Sequence, residues 1–201
     1  DLDGTRKRFQ LAGEFNASNL SAAYAAGLAL GLNANEVRDR LADTPFVKGR
    51  MESILLSDGT TLIIDYAHTP DALEKALSGI RSHCRGAVWC VMGCGGDRDR
   101  GKRPEMGRVV GSLADVAVLT SDNPRSEEPS AIMDETEAGM AGGNAELHRE
   151  VDRRAAIELA LSIGQTGDVV LIAGKGHEAQ QVFENHSIPF DDRQVAEELL
   201  S

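Results

Sequence analysis

The sequence of 201 residues contains only three cysteines, Cys84, Cys90 and Cys94. Their spacings do not match the CxxC pattern of a metal or redox site, and an odd number cannot pair completely. We therefore expect free thiols in a reducing compartment, which predicts a cytoplasmic protein. The sequence also lacks an apolar run long enough to cross a membrane and shows no signal peptide, so no membrane partner is expected.

Positive charge is scarce, because 21 lysines and arginines stand against 32 acidic residues, for a net charge of −11. Nucleic acids and anionic lipids are bound through basic surfaces, so neither is expected as the main partner. A local basic site remains compatible with this acidic total. The other proportions, 41% hydrophobic and 26% charged residues, are ordinary for an α/β protein of one large domain, or of one domain plus a piece of another.

Two regions with different patterns follow each other along the chain. Residues 1–15 predict a strand or loop, and helices are then expected at 17–31 and 36–42, capped by Asn16 and Asn35. The chain begins without methionine, and we expect it to be part of a longer protein. From residue 46 onward a β-hairpin is followed by alternating strands and helices. The predicted strands are 52–56, 60–66, 87–92, 115–120, 145–151 and 168–173, and the predicted helices are 71–81, 104–113, 132–140, 153–163 and 195–200.

This alternation predicts an α/β fold, with a Rossmann-like, mainly parallel sheet, flanking helices and an N-terminal β-hairpin. Ligands of such sheets bind at the carboxyl ends of the strands. The most informative strand end is therefore the segment that follows the apolar strand 115–120. There Asp122 can hold an ammonium, Arg125 can grip a carboxylate through its two-pronged guanidinium, and Asn123 can do either, while Pro124 stiffens the loop.

These side chains suit a zwitterionic amino acid. The alternative is a surface turn in which Asp122 caps a neighbouring amide and Arg125 points into water.

Two further strand ends carry charge. The segment 93–103 is a glycine run followed by four cations, which suits an anion, although it matches neither a Walker A loop nor G-x-G-x-x-G. The alternative is a solvated loop with salt bridges. The segment 174–178, Gly-Lys-Gly-His-Glu, follows the last apolar strand. Chance decoration of the surface does not easily account for charges at three strand ends, namely Arg103, Asp122, Arg125, Lys175, His177 and Glu178.

The second arm of the hairpin ends in Asp65, which is also a site position. His68 follows closely, but a lone histidine in a turn more often makes a loop hydrogen bond than acts in catalysis. In the first region, Asn16 and Asn19 lie three residues apart, so both amides can face one side of a helix. The alternative is that Asn16 is only a cap and Asn19 is solvated.

Six short motifs resemble, in order along nearly the whole chain, those of the Mur ligase family, and most closely its diaminopimelate-adding members. They are GRME at 49–52, DYAHTPD at 65–71, GCGGDRD at 93–99, KRP at 102–104, SDNPR at 121–125 and GKGHE at 174–178. In that group the tetrad Asp-Asn-Pro-Arg recognises meso-diaminopimelate. The resemblance implies that residues 1–45 are the end of a central ATPase domain and that residues 46–201 are a complete C-terminal, amino-acid-binding domain.

The resemblance also assigns roles to particular residues. It implies that meso-diaminopimelate contacts Arg103, Asp122, Asn123, Pro124, Arg125, Gly174 and Glu178, and that Asn16, Asn19, Arg50 and Asp65 face ATP. The family reaction activates a carboxylate of UDP-N-acetylmuramoyl-L-alanyl-D-glutamate as an acyl phosphate, and the incoming amine then forms an amide. ATP and Mg²⁺ are the implied cofactors, and we expect a monomer. The group that deprotonates the amine is not identified, and His177 and Glu178 are candidates by position only.

The sequence also departs from the family pattern. No G-x-x-x-x-G-K-[ST] motif occurs in the 201 residues, so the resemblance implies that the phosphate-binding loop, the carbamylated lysine, the magnesium ligands and the UDP-binding domain belong to upstream sequence. We therefore expect this chain to be inactive alone. The alternatives are a related ligase that adds lysine or glutamate, which would leave Arg125 without a partner if the added side chain ended in an ammonium, or a non-catalytic Rossmann-like binding module.

Overall fold

The computed structural model describes residues 14–45 and 47–200. The chain divides into two compact units, Asp1–Val47 and Lys48–Ser201, and each is described by itself. The assignment of residues 1–45 and 46–201 to two domains of a larger enzyme stays a prediction. The strand or loop expected over residues 1–15 falls mainly outside the described residues.

The first unit contains two helices that contact each other, α1 (Glu14–Ala29) and α2 (Ala34–Ala42). Both expected caps were wrong. Asn16 lies inside α1, which begins two residues earlier, and the cap of α2 is Asn33, whose Oδ1 accepts from the backbone nitrogens of Asn35 and Glu36 at 3.0 and 3.3 Å. Asn33 rather than Asn35 caps because its backbone is extended and its side chain reaches both free amides of the first turn.

The second unit is built on a six-stranded sheet in the order β1-β2-β6-β3-β4-β5, in which β1 and β2 form an antiparallel hairpin and all other neighbours are parallel. The predicted fold class is thereby confirmed. The strands are β1 (Glu52–Leu55), β2 (Thr61–Asp65), β3 (Val88–Met92), β4 (Val116–Leu119), β5 (Glu146–Arg149) and β6 (Val169–Ala173). The helices are α3 (Pro70–Arg81), α4 (Lys102–Leu113), α5 (Pro129–Ala138), α6 (Arg153–Ile163) and α7 (Asp192–Leu199).

Helices cover both faces of this sheet, which is why its central strands are apolar throughout. In β3, Cys90 lies in the core formed with α3, α4 and α5, whereas Val91 lies in the core formed with α6 and α7. Leu171 and Ile172 of β6 divide in the same way, and all four residues are fully buried. Burial of each large apolar side chain stabilises the fold by about 1.5–3 kcal/mol, so the two cores fix the register of the central strands.

A second, two-stranded sheet was not predicted. It pairs β7 (Gln180–Val182) with β8 (Ser187–Pro189) in antiparallel fashion. Each strand has three residues and β8 is exposed, so the period of two on which strand prediction depends has no room to show. After β8, α7 begins at Asp192, three residues before the expected start, and is capped by Asp191, whose carboxylate accepts from the backbone of Arg193 and Gln194.

The three cysteines are free thiols, as predicted. Burial raises the pKa of Cys90 to about 12 and that of Cys94 to about 11, so neither is a reactive thiolate at neutral pH. Among the residues that the structure describes, no helix is both long and apolar enough to cross a membrane.

Candidate functional site

A cavity of ≈ 350 Å³ lies in the second unit, where several strands of the sheet end. The strand order places β6, β3 and β4 side by side, so the loops that follow them meet at one edge. The lining residues come from these loops, from the segment after β2 and from the start of α4. They are Tyr66, His68, Thr69, Gly93, Cys94, Gly95, Arg98, Asp99, Lys102, Arg103, Met106, Asp122, Asn123, Arg125, Gly174 and Glu178.

The carboxylate of Asp122 lines this cavity without a hydrogen bond from any residue that the structure describes, although Asp122 is only 8% exposed. It does not cap a neighbouring amide, so the turn alternative is wrong for this residue. Burial raises the pKa of Asp122, and the positive charges of Arg153 and Lys175 offset only part of that rise. A buried carboxylate of this kind is stabilised by a cationic ligand group.

Arg125 lines the same cavity and is half-buried. Its Nη1 donates to the carbonyl oxygens of Gly96 at 2.8 Å and Asn123 at 3.3 Å, and its backbone nitrogen donates to Val182 of β7 at 3.0 Å. Within the described ranges, Nε and Nη2 have no hydrogen-bond partner, so two donors remain for a ligand carboxylate. Arg125 has φ 52°, a left-handed conformation that costs an L-residue about 1–2 kcal/mol, and such conformations concentrate at functional sites.

Asn123 lines the cavity and joins the loop after β4 to the loop after β6 and to β7. It is 4% exposed; its Oδ1 accepts from Lys175 Nζ at 3.0 Å and from the backbone of Val182 at 2.9 Å, and its Nδ2 donates to Glu178 Oε2 at 2.8 Å. Burial alone would raise the pKa of Glu178, but the bond from Asn123 and the charge of Lys175 outweigh it, so that pKa is lowered. Glu178 is therefore ionised at neutral pH.

Arg103 lines the cavity, but its terminal nitrogens are engaged elsewhere. Nη1 donates to both Glu127 and Glu135 at 2.9 Å, and Nη2 donates to Glu127 at 2.7 Å and to the carbonyl of Gly95 at 3.3 Å. Its buried Nε has no partner in the described part of the chain. Hydrogen bonding to Arg103 lowers the pKa of Glu127 to about 2. Neither glutamate could be predicted as a partner from the sequence, because no spacing links them to Arg103. Contact between Arg103 and a ligand stays a prediction.

Gly174 is required by the close approach of its backbone to Asp122. Its φ is 114°, its nitrogen donates to the carbonyl of Asp65 at 3.1 Å, and a Cβ at this position would lie 2.6 Å from Asp122 Oδ2. The parallel pairing of Asp65 with Ala173 brings these two strand ends into register. Glycine at residue 174 thus leaves room for the carboxylate that lines the cavity.

Tyr66 lines the cavity and was not predicted as a site residue from the sequence. Its ring lies 4.7 Å from the guanidinium of Arg50 and 4.4 and 5.0 Å from the rings of His68 and His177, and its hydroxyl lies 3.4 Å from Glu178 Oε1. His68 Nδ1 also lies 2.7 Å from the carbonyl oxygen of Tyr66. This is the loop hydrogen bond that was weighed against a catalytic role for His68. The signal that could have identified Tyr66 is its position in the motif DYAHTPD at 65–71, directly after Asp65.

Asp65 is buried and does not line the cavity. Its carboxylate accepts from the backbone nitrogens of Met51 at 2.7 Å and Ala67 at 2.8 Å, and burial raises its pKa while these bonds partly offset the rise. Arg50 is exposed beside it. In the first unit, Asn16 is half-buried and Asn19 is exposed. A nucleotide-facing role for these four residues stays a prediction.

Within residues 14–45 and 47–200, no group of three or more histidine, cysteine, aspartate or glutamate side chains is arranged to hold a metal ion. The cavity thus offers an ammonium acceptor at Asp122, carboxylate donors at Arg125 and a second carboxylate at Glu178. A small zwitterion carries one charge opposite to each of these kinds of side chain, and sites of this kind are common in clefts of α/β domains.

The comparison with protein families agrees with this description. The family model for the Mur ligase, glutamate ligase domain, matches residues 49–176. The chain therefore belongs to the Mur ligase family.

Individual relatives agree with the family. The chain is 47% identical, over 94% of its length, to a UDP-N-acetylmuramoyl-L-alanyl-D-glutamate--2,6-diaminopimelate ligase of Vibrio vulnificus, and 50% identical, over 95% of its length, to the protein of that name from Gloeobacter violaceus. It spans only 38% and 39% of the lengths of these two relatives.

Solved structures show the same fold. A structure of UDP-N-acetylmuramoyl-L-alanyl-D-glutamate--2,6-diaminopimelate ligase is 39% identical and superposes with a TM-score of 0.74 over 96% of this chain and 39% of that one. The UDP-N-acetylmuramate-alanine ligase MurC of Thermotoga maritima has a TM-score of 0.66 at 19% identity, over 98% of this chain and 40% of that one, and supports the fold alone.

Proposed function

We propose that this chain is the amino-acid-binding part of an ATP-dependent ligase that adds meso-diaminopimelate to UDP-N-acetylmuramoyl-L-alanyl-D-glutamate in peptidoglycan precursor synthesis. The observation that carries the proposal is the buried carboxylate of Asp122, which has no hydrogen-bond partner in the described part of the chain and lies three residues from the partly free guanidinium of Arg125. The names of the relatives that are 47–50% identical support the choice of amino acid.

The two side chains match the two charges at the far end of meso-diaminopimelate. Asp122 accepts the ammonium, and Nε and Nη2 of Arg125 donate to the carboxylate. Glu178, ionised and held by Asn123, offers a further acceptor for an ammonium. Its lowered pKa makes Glu178 a poor general base near neutral pH, so we assign it to binding. His177 remains a candidate base by position only.

Activation of the dipeptide carboxylate as an acyl phosphate needs ATP, and Mg²⁺ neutralises phosphate charge in such reactions. We assign the phosphate-binding loop and the metal ligands to sequence outside these 201 residues, since neither the motif in the sequence nor a metal cluster among the described residues is present. In this scheme residues 1–45 end a central ATPase domain, residues 46–201 form the C-terminal domain, and Asn16, Asn19, Arg50 and Asp65 face the nucleotide. We further propose a cytoplasmic monomer.

Two measurements test the proposal. Calorimetric titration of the chain should show binding of meso-diaminopimelate and little binding of lysine or glutamate. A hybrid protein in which this chain replaces the matching part of the Vibrio vulnificus relative should release ADP only when both meso-diaminopimelate and the UDP-linked dipeptide are present, whereas the chain alone should release none. Addition of lysine or glutamate by the hybrid would favour a related ligase, and binding without any ligation would favour a non-catalytic module.

A further inference from the structure

A buried ion pair lies directly behind the cavity without lining it. Arg153, the first residue of α6, and Asp192, the first residue of α7, both have side chains with 0% exposure. Arg153 Nε donates to Asp192 Oδ1 and Nη2 donates to Oδ2, each at 2.8 Å. Such a pair gains little stability over well-packed apolar side chains, because both charges lose their hydration. Stability therefore does not explain why this ion pair lies behind the cavity.

The same guanidinium also reaches two strand ends. Nη2 donates to the carbonyl oxygen of Ala173 at 3.1 Å, and Nη1 makes a longer contact of 3.5 Å with that of Ser121. Ala173 ends β6 and precedes Gly174, whereas Ser121 follows β4 and precedes Asp122. These strands are not neighbours, because β3 separates them in the sheet. Arg153 thus links the two loops across the end of the intervening strand.

We propose that Arg153 and Asp192 form a positioning pair that holds Asp122 and Gly174 in the arrangement that receives the ammonium of the incoming amino acid. The inference rests on the proposed function. Asp192 fixes the orientation of the guanidinium through two bonds, and the guanidinium then fixes the carbonyl groups that precede Asp122 and Gly174. Placement matters at this point because the backbone of Gly174 passes so close to Asp122 that a Cβ at residue 174 would lie only 2.6 Å from Asp122 Oδ2. Binding groups generally have to be held within about 0.5 Å of their productive position.

Arg153 also acts on Asp122 through its charge, without using any of the carboxylate's hydrogen-bonding capacity. The charged groups around Asp122 are Arg153 on α6, Lys175 and Glu178 after β6, and Asp192 on α7. Among them, Arg153 contributes the largest opposition to the rise in the pKa of Asp122 that burial causes. Removing Arg153 therefore raises that pKa further, and the carboxylate that binds an ammonium is lost at a higher pH than in the wild type.

The test replaces both charges together, as Arg153→Met with Asp192→Leu, so that no buried charge is left unpaired. Calorimetric titration of the 201-residue chain with meso-diaminopimelate should give a dissociation constant raised by about tenfold or more. The decline of affinity on acidification should also begin at a higher pH, because the charge of Arg153, which lowers the pKa of Asp122, acts more strongly than the charge of Asp192, which raises it. A matched control replaces Arg154 and Glu198, which join the same two helices through an exposed pair at 2.7 Å, by methionine and leucine. The control should keep the wild-type dissociation constant and pH profile.

A second variant separates position from charge and does not depend on the double variant being folded. Arg153→Lys keeps the positive charge opposite Asp192 but cannot bond to both carboxylate oxygens and both carbonyl groups. Its dissociation constant should rise several-fold while its pH profile stays close to that of the wild type. If thermal melting shows that a variant is folded and its affinity equals that of the wild type, the inference is overturned, whereas the proposed function is not. Failure of the wild-type chain to bind meso-diaminopimelate overturns the proposed function, and this inference with it.

Discussion

Asn123 Nδ2 lies 2.8 Å from Glu178 Oε2, and this bond joins the loop after β4 to the loop after β6. The amide oxygen of the same residue accepts from Lys175 and from the backbone of Val182, so three of the four hydrogen-bonding positions of the side chain are occupied. Asn123 therefore shapes the cavity mainly through Glu178 and Lys175. Within the tetrad, the charges of Asp122 and Arg125 are left for the ligand.

Asn123→Ala should destabilise the chain as well as weaken binding. It leaves the ammonium of Lys175 and the amide of Val182 without their buried acceptor, which should lower the free energy of unfolding by about 2–4 kcal/mol. Urea unfolding measures this loss, and calorimetric titration measures the affinity for meso-diaminopimelate. The exposed Asn144→Ala is the control and should change neither quantity. Wild-type stability in Asn123→Ala would show that these hydrogen bonds contribute nothing.

Arg125→Ala should remove most of the discrimination between meso-diaminopimelate and lysine, which lacks the second carboxylate. Hydrogen bonds to a charged group contribute about 1.5–3 kcal/mol, so the dissociation constant for meso-diaminopimelate should rise by roughly 10- to 100-fold. Lysine binding need not improve, because Asp122 and Asn123 still shape the cavity. Titrations with both amino acids measure the effect, and the exposed Arg108→Ala of α4 serves as the control. An unchanged dissociation constant for meso-diaminopimelate in Arg125→Ala would show that the tetrad forms a turn and does not recognise the ligand.

The sheet could be predicted from the sequence because each of its strands carries a local signal. The apolar runs of β3, β4 and β6 are typical of strands buried on both faces, and residues 57–59, Ser-Asp-Gly, form a turn signal between the arms of the β1–β2 hairpin. The edge of the sheet at which the cavity lies could also be predicted, since parallel strands place all their carboxyl ends together. The short β7–β8 hairpin carries no such signal, yet β7 holds Arg125 and Asn123 in place through Val182.

The partners of the charged residues could not be predicted for a different reason. Glu135 on α5 and Glu127 in the loop before it meet Arg103 because α4 and α5 pack together, and no periodicity in the sequence reports that contact. Arg153 and Asp192 are 39 residues apart and both begin helices, where charged residues are usually solvated. Pairing of this kind depends on tertiary packing, whereas the sequence shows only that the charges exist.

Gly174→Ala and Gly79→Ala should have opposite effects. A Cβ at residue 174 would lie 2.6 Å from Asp122 Oδ2 and would sit on a backbone with φ 114°, so the variant should be destabilised and should lose affinity for meso-diaminopimelate. Gly79 lies in α3, where a Cβ meets nothing within 4 Å. There alanine should stabilise the chain by about 0.5–1 kcal/mol without changing affinity. Thermal melting and titration of both variants provide the comparison, and equal affinity in Gly174→Ala and the wild type contradicts the assigned close approach.

Glu127 should make the stability of the chain depend on pH in the acid range. Its pKa is lowered from an ordinary 4.5 to about 2, chiefly by the hydrogen bonds from Arg103. A carboxyl group whose pKa is lower in the folded state contributes stability above its unfolded pKa and loses it as the pH falls through the folded value. Glu127→Gln should therefore lower the free energy of unfolding by about 1–2 kcal/mol at pH 7, since the carboxylate is partly exposed. The difference from the wild type should shrink between pH 4.5 and about 2.

Urea unfolding at a series of pH values measures this difference, with the exposed Glu158→Gln of α6 as the control that should match the wild type throughout. The same titration bears on the cavity, because Glu127 and Glu135 together hold Arg103 at its wall. If the gap between Glu127→Gln and the wild type stays constant from pH 7 to pH 2, the Glu127 carboxylate is not stabilised by Arg103. Arg103 would then be held only by Glu135 and the carbonyl of Gly95, which would leave more of its guanidinium for the ligand contact that the resemblance to the family implied.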